Sequence, residues 1–243
     1  MTASMPPPHS ASVSELLDTA AQLFRATLLK CLPMAMLAVL CSQLANVYWI
    51  ATGHAISLSA RHDGNYALLS VLGAAIELWL ISAMMLRQRA VALAAPIHAV
   101  AELRAAWQRL PSILGCALLG LLSVAVGLLL IGPGLFLLIC YVVALPVVLF
   151  EGLTPYRALV RSVQLIRRLW WKTLAACVFA LLAFVVCALV FAAIIGVLAG
   201  VLAGNGPAFQ AIQSASSVAL GALFFVFLSA LALVIHSAAS SSA

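Results

Sequence analysis

Three stretches of this chain, residues 31–60, 110–150 and 173–243, contain no Asp, Glu, Lys or Arg. A soluble domain places roughly one charged residue in every four, so runs of this length point to lipid as the solvent. A helix rises about 1.5 Å per residue through a hydrocarbon core about 30 Å thick, so about 20 residues cross once. The two longer runs must therefore fold back. Gly132-Pro133-Gly134 interrupts the second, because two glycines and a proline stop a helix and allow a tight reversal. Gly204-Asn205-Gly206-Pro207 does the same for the third. Together with one span from the first run and a partner after it, six spans are predicted, at residues 28–50, 66–86, 111–131, 135–150, 174–198 and 218–235. The segments lack the alternation of barrel strands, and every backbone polar group in lipid needs an internal partner, so the spans are helices. The expected fold is an all-helical integral membrane protein of three hairpins within residues 12–237, flanked by a disordered tail at 1–11 and a tail at 238–243.

Basic residues set the expected orientation. With the N-terminus inside, Arg25, Lys30, Arg87, Arg89, Arg104, Arg109, Arg157, Arg161, Arg167, Arg168 and Lys172 all fall on the cytoplasmic side, and only Arg61 falls outside. The positive-inside rule then places both termini in the cytoplasm. The net charge of +6 is accordingly charge for the inner leaflet, and no soluble basic domain exists to hold nucleic acid. The polar, proline-rich start MTASMPPPHS has no signal-peptide pattern, so the first span is expected to direct insertion. All six cysteines lie within or beside spans and none has C-x-x-C spacing, which argues against a disulfide or zinc framework.

Before each hairpin comes an amphipathic segment, at residues 12–27, 97–110 and 154–172. The first opens with Ser12 and Glu15 in capping-box spacing, and Leu16, Ala20, Leu23 and Thr27 recur at helical intervals. In the third, Thr154 can cap, Pro155 suits the first helical position, and Arg157, Arg161, Arg168 and Lys172 share a face opposite Leu159, Val163, Ile166 and Trp170. Such a helix is expected to lie in the inner headgroup plane, its basic face toward anionic lipid and its tryptophans at the boundary.

The stretch LPVVLFEGLTPYRALVRSVQLIRRLWWKTL, residues 145–174, resembles a family of bacterial inner-membrane proteins that includes the YciC-like proteins and the membrane domain attached to some glycerophosphoryl diester phosphodiesterases. In that family a span ends in glutamate and glycine, here Glu151 and Gly152. A basic helix follows, with an alanine-leucine pair, an arginine-serine pair and a tryptophan, here Ala158 and Leu159, Arg161 and Ser162, and Trp170. The resemblance implies a multi-pass protein of the bacterial cytoplasmic membrane. It implies no activity, and phosphodiesterase chemistry is not expected of these 243 residues.

Three polar features are candidates for function. Glu77 is the acid deepest inside a predicted span, and Ser123 and Tyr141 sit at similar depth on the third and fourth spans, with Ser42 and Gln43 about a turn further out. Clustered hydroxyls around a protonated Glu77 would satisfy it, either as a proton or polar-solute site or simply as a bond between helices. Glu151 at the end of the fourth span is expected to form a structural ion pair with Arg161, offsetting a carboxylate that opposes the helix dipole. Gly196, Gly200 and Gly204 form a smooth strip, read as packing within the bundle in preference to dimerisation. His54, His62 and Asp63 in the outer loop match no metal motif, and metalloprotease, nucleophile-elbow and phosphate-loop patterns are absent from the sequence. No catalytic residue, cofactor or metal is therefore expected. The expected role is non-enzymatic, in envelope organisation or a membrane-protein complex, with a transporter or permease component using Glu77 as the alternative.

Overall fold

The computed structural model describes residues 12–52, 64–96, 98–203 and 207–241. Among these, every regular element is helical: α1 (Val13–Ser42), α2 (Leu44–Ala51), α3 (Gly64–Ala92), α4 (Ala99–Leu128), α5 (Gly132–Cys140), α6 (Ala144–Glu151), α7 (Pro155–Ile166), α8 (Trp170–Ala203) and α9 (Pro207–Ser241), with a 3₁₀ turn at Tyr141–Val143 between α5 and α6. Six stretches are long and apolar enough to cross a membrane: Val13–Ser42, Gly64–Ala92, Ala99–Leu128, Gly132–Glu151, Trp170–Val201 and Ile212–Ser241. The tail at 1–11, Arg61, Gly204 and the loop residues His54, His62 and Asp63 lie outside the described residues. The C-terminal tail begins later than expected, because α9 runs to Ser241 and still buries Ala239.

The capping box forms as the spacing predicts. Ser12 Oγ accepts from the Glu15 amide at 3.2 Å, and the Glu15 carboxylate accepts from the Ser12 amide at 2.8 Å. From there α1 buries Leu16, Ala20, Leu23, Thr27, Cys31 and Ala35, one stripe at three- and four-residue spacing. The first amphipathic segment and the first span are thus one continuous helix. Nothing between Thr27 and Lys30 breaks it, and Pro33 is absorbed within it. The same holds for α4, which joins the second amphipathic segment to the third span across Pro111. Only the third segment stands as a separate helix, α7, because Gly152 ends α6 in the left-handed conformation at φ 65° and Pro155 starts a new helix. Thr154 makes no side-chain capping bond.

The turn between α4 and α5 depends on close approach. A Cβ on Gly134 would lie 2.5 Å from the Leu128 nitrogen, inside any tolerable contact. The positive φ of the reversal, 53°, falls on Ile131, while Gly132 and Pro133 already belong to α5.

α1 packs chiefly against α3 and α9, α4 against α3 and α5, and α8 against α9. The larger core joins Leu23 of α1, Ile113 of α4, Val147 of α6, Ile166 of α7 and Leu231 of α9, and a second core sits among Cys31, Ala35, Met84 and Val226. α7 ends at Ile166, so Arg168 and Lys172 lie beyond it, and it runs back alongside the hairpin before it instead of lying in the headgroup plane as expected. Pro155 touches the site of Gly115, Leu159 lies over Gly120, and Trp170 stacks on Phe136 with ring centroids 5.8 Å apart. Hairpins crossing in register would hold Phe136 and Trp170 at opposite faces of the membrane. The packing of α7 on α4 and α5 makes the starts of the fourth and fifth spans neighbours instead.

Burial is unequal among the spans. The most apolar window of α8 is 6% buried, against 50% for the last span. A Cβ at Gly196 or Gly200 would meet nothing within 4 Å. At Gly196 and Gly200 the strip therefore does not pack within the bundle, contrary to the expectation.

Candidate functional site

The polar residues expected to meet around Glu77 divide between two places. Ser123 and Tyr141 do come together, their hydroxyl oxygens 3.1 Å apart, with Ser123 also donating to the Gly120 carbonyl at 2.9 Å. Tyr141 borders an apolar cavity of about 320 Å³ lined by Ile113, Cys116, Leu138 and Leu159, and Leu78 reaches it from α3. Glu77 does not. One residue along an α-helix is a rotation of about 100°, and Glu77 faces another cleft.

That cleft, of about 620 Å³, opens where α1 breaks. Gln43 leaves the α1 helix and α2 resumes at Leu44, so Ser42, Gln43 and Asn46 line one wall. α9 supplies Ser214, Ser217 and Phe225 opposite, and α3 supplies Glu77. The wall is braced: Asn46 donates to the Gln43 side-chain oxygen at 2.9 Å and accepts from the Tyr66 hydroxyl at 3.1 Å, while Trp49 meets Tyr66 edge to face. Below Glu77, Gly73 lets α1 and α3 touch, since a Cβ there would lie 2.6 Å from the Cys41 carbonyl oxygen. Glu77 itself is half-buried and makes no hydrogen bond or ion pair with the described residues.

At the other end of α3 sits a polar centre the sequence reading did not single out. Arg87 Nε donates to Glu102 Oε2 at 2.8 Å and Arg87 Nη1 donates to the Lys30 carbonyl at 2.8 Å, joining α3, α4 and α1. Both side chains are 10% exposed. Glu102 Oε1 is buried and without a partner among the described residues, as is Gln88 Oε1, whose amide nitrogen donates to the Val226 carbonyl. In the sequence Arg87 reads only as a topological charge, and Glu102 lies within the second amphipathic segment, residues 97–110. The available signal was their opposite charge on either side of the short connection between the two helices.

The structure places Glu151 against Arg161, with Arg161 Nε 3.3 Å from Glu151 Oε2. It also adds two residues the sequence did not connect. His236 Nε2 lies 3.4 Å from Glu151 Oε1, and Arg89 rests over the ring of Phe150 at 4.2 Å. Arg109 donates to the Val148 carbonyl at 3.0 Å and so caps α6. The end of α6 is thus fastened to α3, α4, α7 and α9. Along α7, Ala158, Leu159, Ser162, Leu165 and Ile166 are buried. Arg157, Arg168 and Lys172 are exposed, while Arg161 turns back to Glu151.

Among the described residues no three His, Cys, Asp or Glu side chains gather where they could hold a metal, and the cysteines are free. These features define a class, an all-helical multi-pass membrane protein. No family model, curated protein or solved structure matches the chain.

Proposed function

We propose that this chain is a non-enzymatic protein of a bacterial inner membrane, both termini cytoplasmic, that serves envelope organisation or a membrane-protein complex and meets anionic lipid headgroups through exposed basic residues in and just after α7. The family proposed for it is the YciC-like one, on the residues of the α6–α7 junction. The observation that carries the reading is the division of α7. Its apolar side is buried against α4, α6 and α9, Arg157 near its start and Arg168 just past its end at Ile166 are exposed, and the Glu151–Arg161 contact fixes how α7 is presented. Each basic residue near an anionic headgroup surface contributes about 1 kcal/mol of attraction.

The test is thermal unfolding of the full chain in nanodiscs of phosphatidylcholine or of phosphatidylglycerol. The anionic lipid should raise the midpoint, and Arg157→Gln with Arg168→Gln should remove most of that rise while leaving the midpoint in neutral lipid unchanged. An equal response of wild type and variant to phosphatidylglycerol would refute it. Thiol labelling of a cysteine at position 157 from the periplasmic side alone would refute the orientation.

A second reading is favoured by one specific observation, the unpartnered Glu77 in a cleft of about 620 Å³. Acids inside membrane spans are functional candidates by default because an unpaired charge there is costly. On this reading the chain is a transporter or permease component. Glu77→Gln should then abolish a proton or solute flux in proteoliposomes, and an unchanged flux would dismiss it.

A further inference from the structure

We propose that the Glu77 cleft is a binding site for an amphipathic organic monocation, an ammonium or similar onium group attached to an apolar body. The proposal rests on the second reading above and names its ligand class. The first step is charge. Of the described residues lining the cleft, Glu77 is the sole ionisable one, and no protein donor compensates its carboxylate. A carboxylate in a membrane span needs a counter-charge or a proton, because its desolvation is otherwise unrepaid.

The second step is shape and lining. A bare inorganic cation needs several oxygen ligands closing on it at short range. Here a single carboxylate stands in a space of about 620 Å³, with no cluster of three metal-ligating side chains among the described residues. That volume lies within the range of about 300 to 1,000 Å³ typical of small-molecule pockets, which are mostly apolar with a few placed polar groups. The cleft has this composition. Leu40, Val47 and Val218 offer apolar walls, Ser42 and Ser217 offer hydroxyls, and Phe225 offers an aromatic ring, a surface that attracts a cation over its face.

The third step concerns access. Ser214 and Ser217 on the outer half of α9 are exposed, and the opposite wall is interrupted at the Gln43 break between α1 and α2. A ligand entering between α9 and the α1–α2 junction would reach Glu77 without disturbing the buried ion pair at the inner end of α3.

The experiment uses the full chain in detergent and tetraphenylphosphonium as the probe, with tetraphenylborate as the anion of matched shape. Equilibrium binding should show one saturable site for the cation. The borate should bind at least about tenfold more weakly, a difference of about 1.4 kcal/mol. Glu77→Gln should weaken the cation by a similar factor, and Glu77→Asp should retain it. Exchanging potassium chloride for sodium chloride at equal ionic strength should leave probe binding unchanged. The wild-type comparison of the two probes needs no variant and stands even if a substitution unfolds the chain. Equal binding of cation and borate, insensitivity to Glu77→Gln in a folded variant, or displacement by sodium would each overturn the proposal. A chain that moves protons through Glu77 yet ignores the probe would sink this ligand class and leave the transport reading standing.

Discussion

Removing Arg87 alone should destabilise the fold far more than removing Arg87 and Glu102 together. Both side chains are 10% exposed, and the pair is held at 2.8 Å with a further bond from Arg87 to the Lys30 carbonyl. Deleting one member of a buried pair leaves the other charge uncompensated, which costs about 3–5 kcal/mol. Glu102 is poorly placed to recover, since its second oxygen already lacks a protein partner. The lost bond to Lys30 adds about 1 kcal/mol. Arg87→Met should therefore cost about 4–6 kcal/mol, summing the two contributions. Arg87→Met with Glu102→Leu keeps apolar volume and removes both charges, so it should fall within about 2 kcal/mol of wild type, about 1 kcal/mol of it the lost bond to the Lys30 carbonyl. The assay is equilibrium unfolding of the purified protein in mixed micelles of increasing sodium dodecyl sulfate, followed by tryptophan fluorescence. Trp79, which donates to the Leu103 carbonyl one residue from Glu102 and meets Trp107 edge to face, is a local reporter. A single variant within about 1 kcal/mol of wild type, or a double variant less stable than the single, would refute the idea that burial of an uncompensated charge dominates this junction.

Gly134→Ala should cost several kcal/mol in the same assay, because its Cβ would lie 2.5 Å from the Leu128 nitrogen, whereas Gly200→Ala, with nothing within 4 Å, should be neutral or slightly stabilising. Ile131→Gly should raise stability by about 1 kcal/mol by relieving a φ of 53° at a β-branched residue, and a loss would show that the side chain contributes more than the strain costs. Glu151→Gln should cost only about 1 kcal/mol, since its side chain is 28% exposed and solvent screens the pair, and a loss above about 3 kcal/mol would mean that the α6 terminus behaves as a buried centre.

The class of fold was legible because lipid imposes a simple rule on composition, and charge-free runs with glycine-proline interruptions record it directly. The capping box at Ser12 was legible for a similar reason, being a local pattern of two residues. What the sequence did not disclose was which amphipathic segments stand alone. That outcome turned on Gly152, whose left-handed conformation ends α6, and on the absence of any comparable stop between Thr27 and Lys30. The depth argument that grouped Glu77 with Ser123 and Tyr141 used position along each helix and ignored azimuth. Leu78 and Glu77 are sequence neighbours, yet one faces the Tyr141 cavity and the other the Gln43 cleft. Glu151 and Arg161 lie within ten residues and could be paired on spacing, while His236, 85 residues from Glu151, could be placed only by the packing of α9.

The distribution of ties bears on how the two proposed roles divide the molecule. At the inner end of α3, Arg87, Gln88 and Arg89 reach α4, α1, α9 and α6, and at the end of α6 Glu151 meets both α7 and α9. Each tie crosses between helices through a side chain that would be left unpaired if the contact opened. The outer end has a different construction. Gly73 lets the backbones of α1 and α3 meet beside Glu77, while α9 there carries Ser216 and Ser217, whose hydroxyls donate to the Gln213 and Ser214 carbonyls of their own helix. Displacing the outer half of α9 would therefore break none of these interhelical side-chain bonds, whereas displacing α7 would break the Arg161 contact with Glu151. If the cleft admits a ligand, the moving wall is α9 above Gly221, and α7 with its basic face remains a fixed part of the frame.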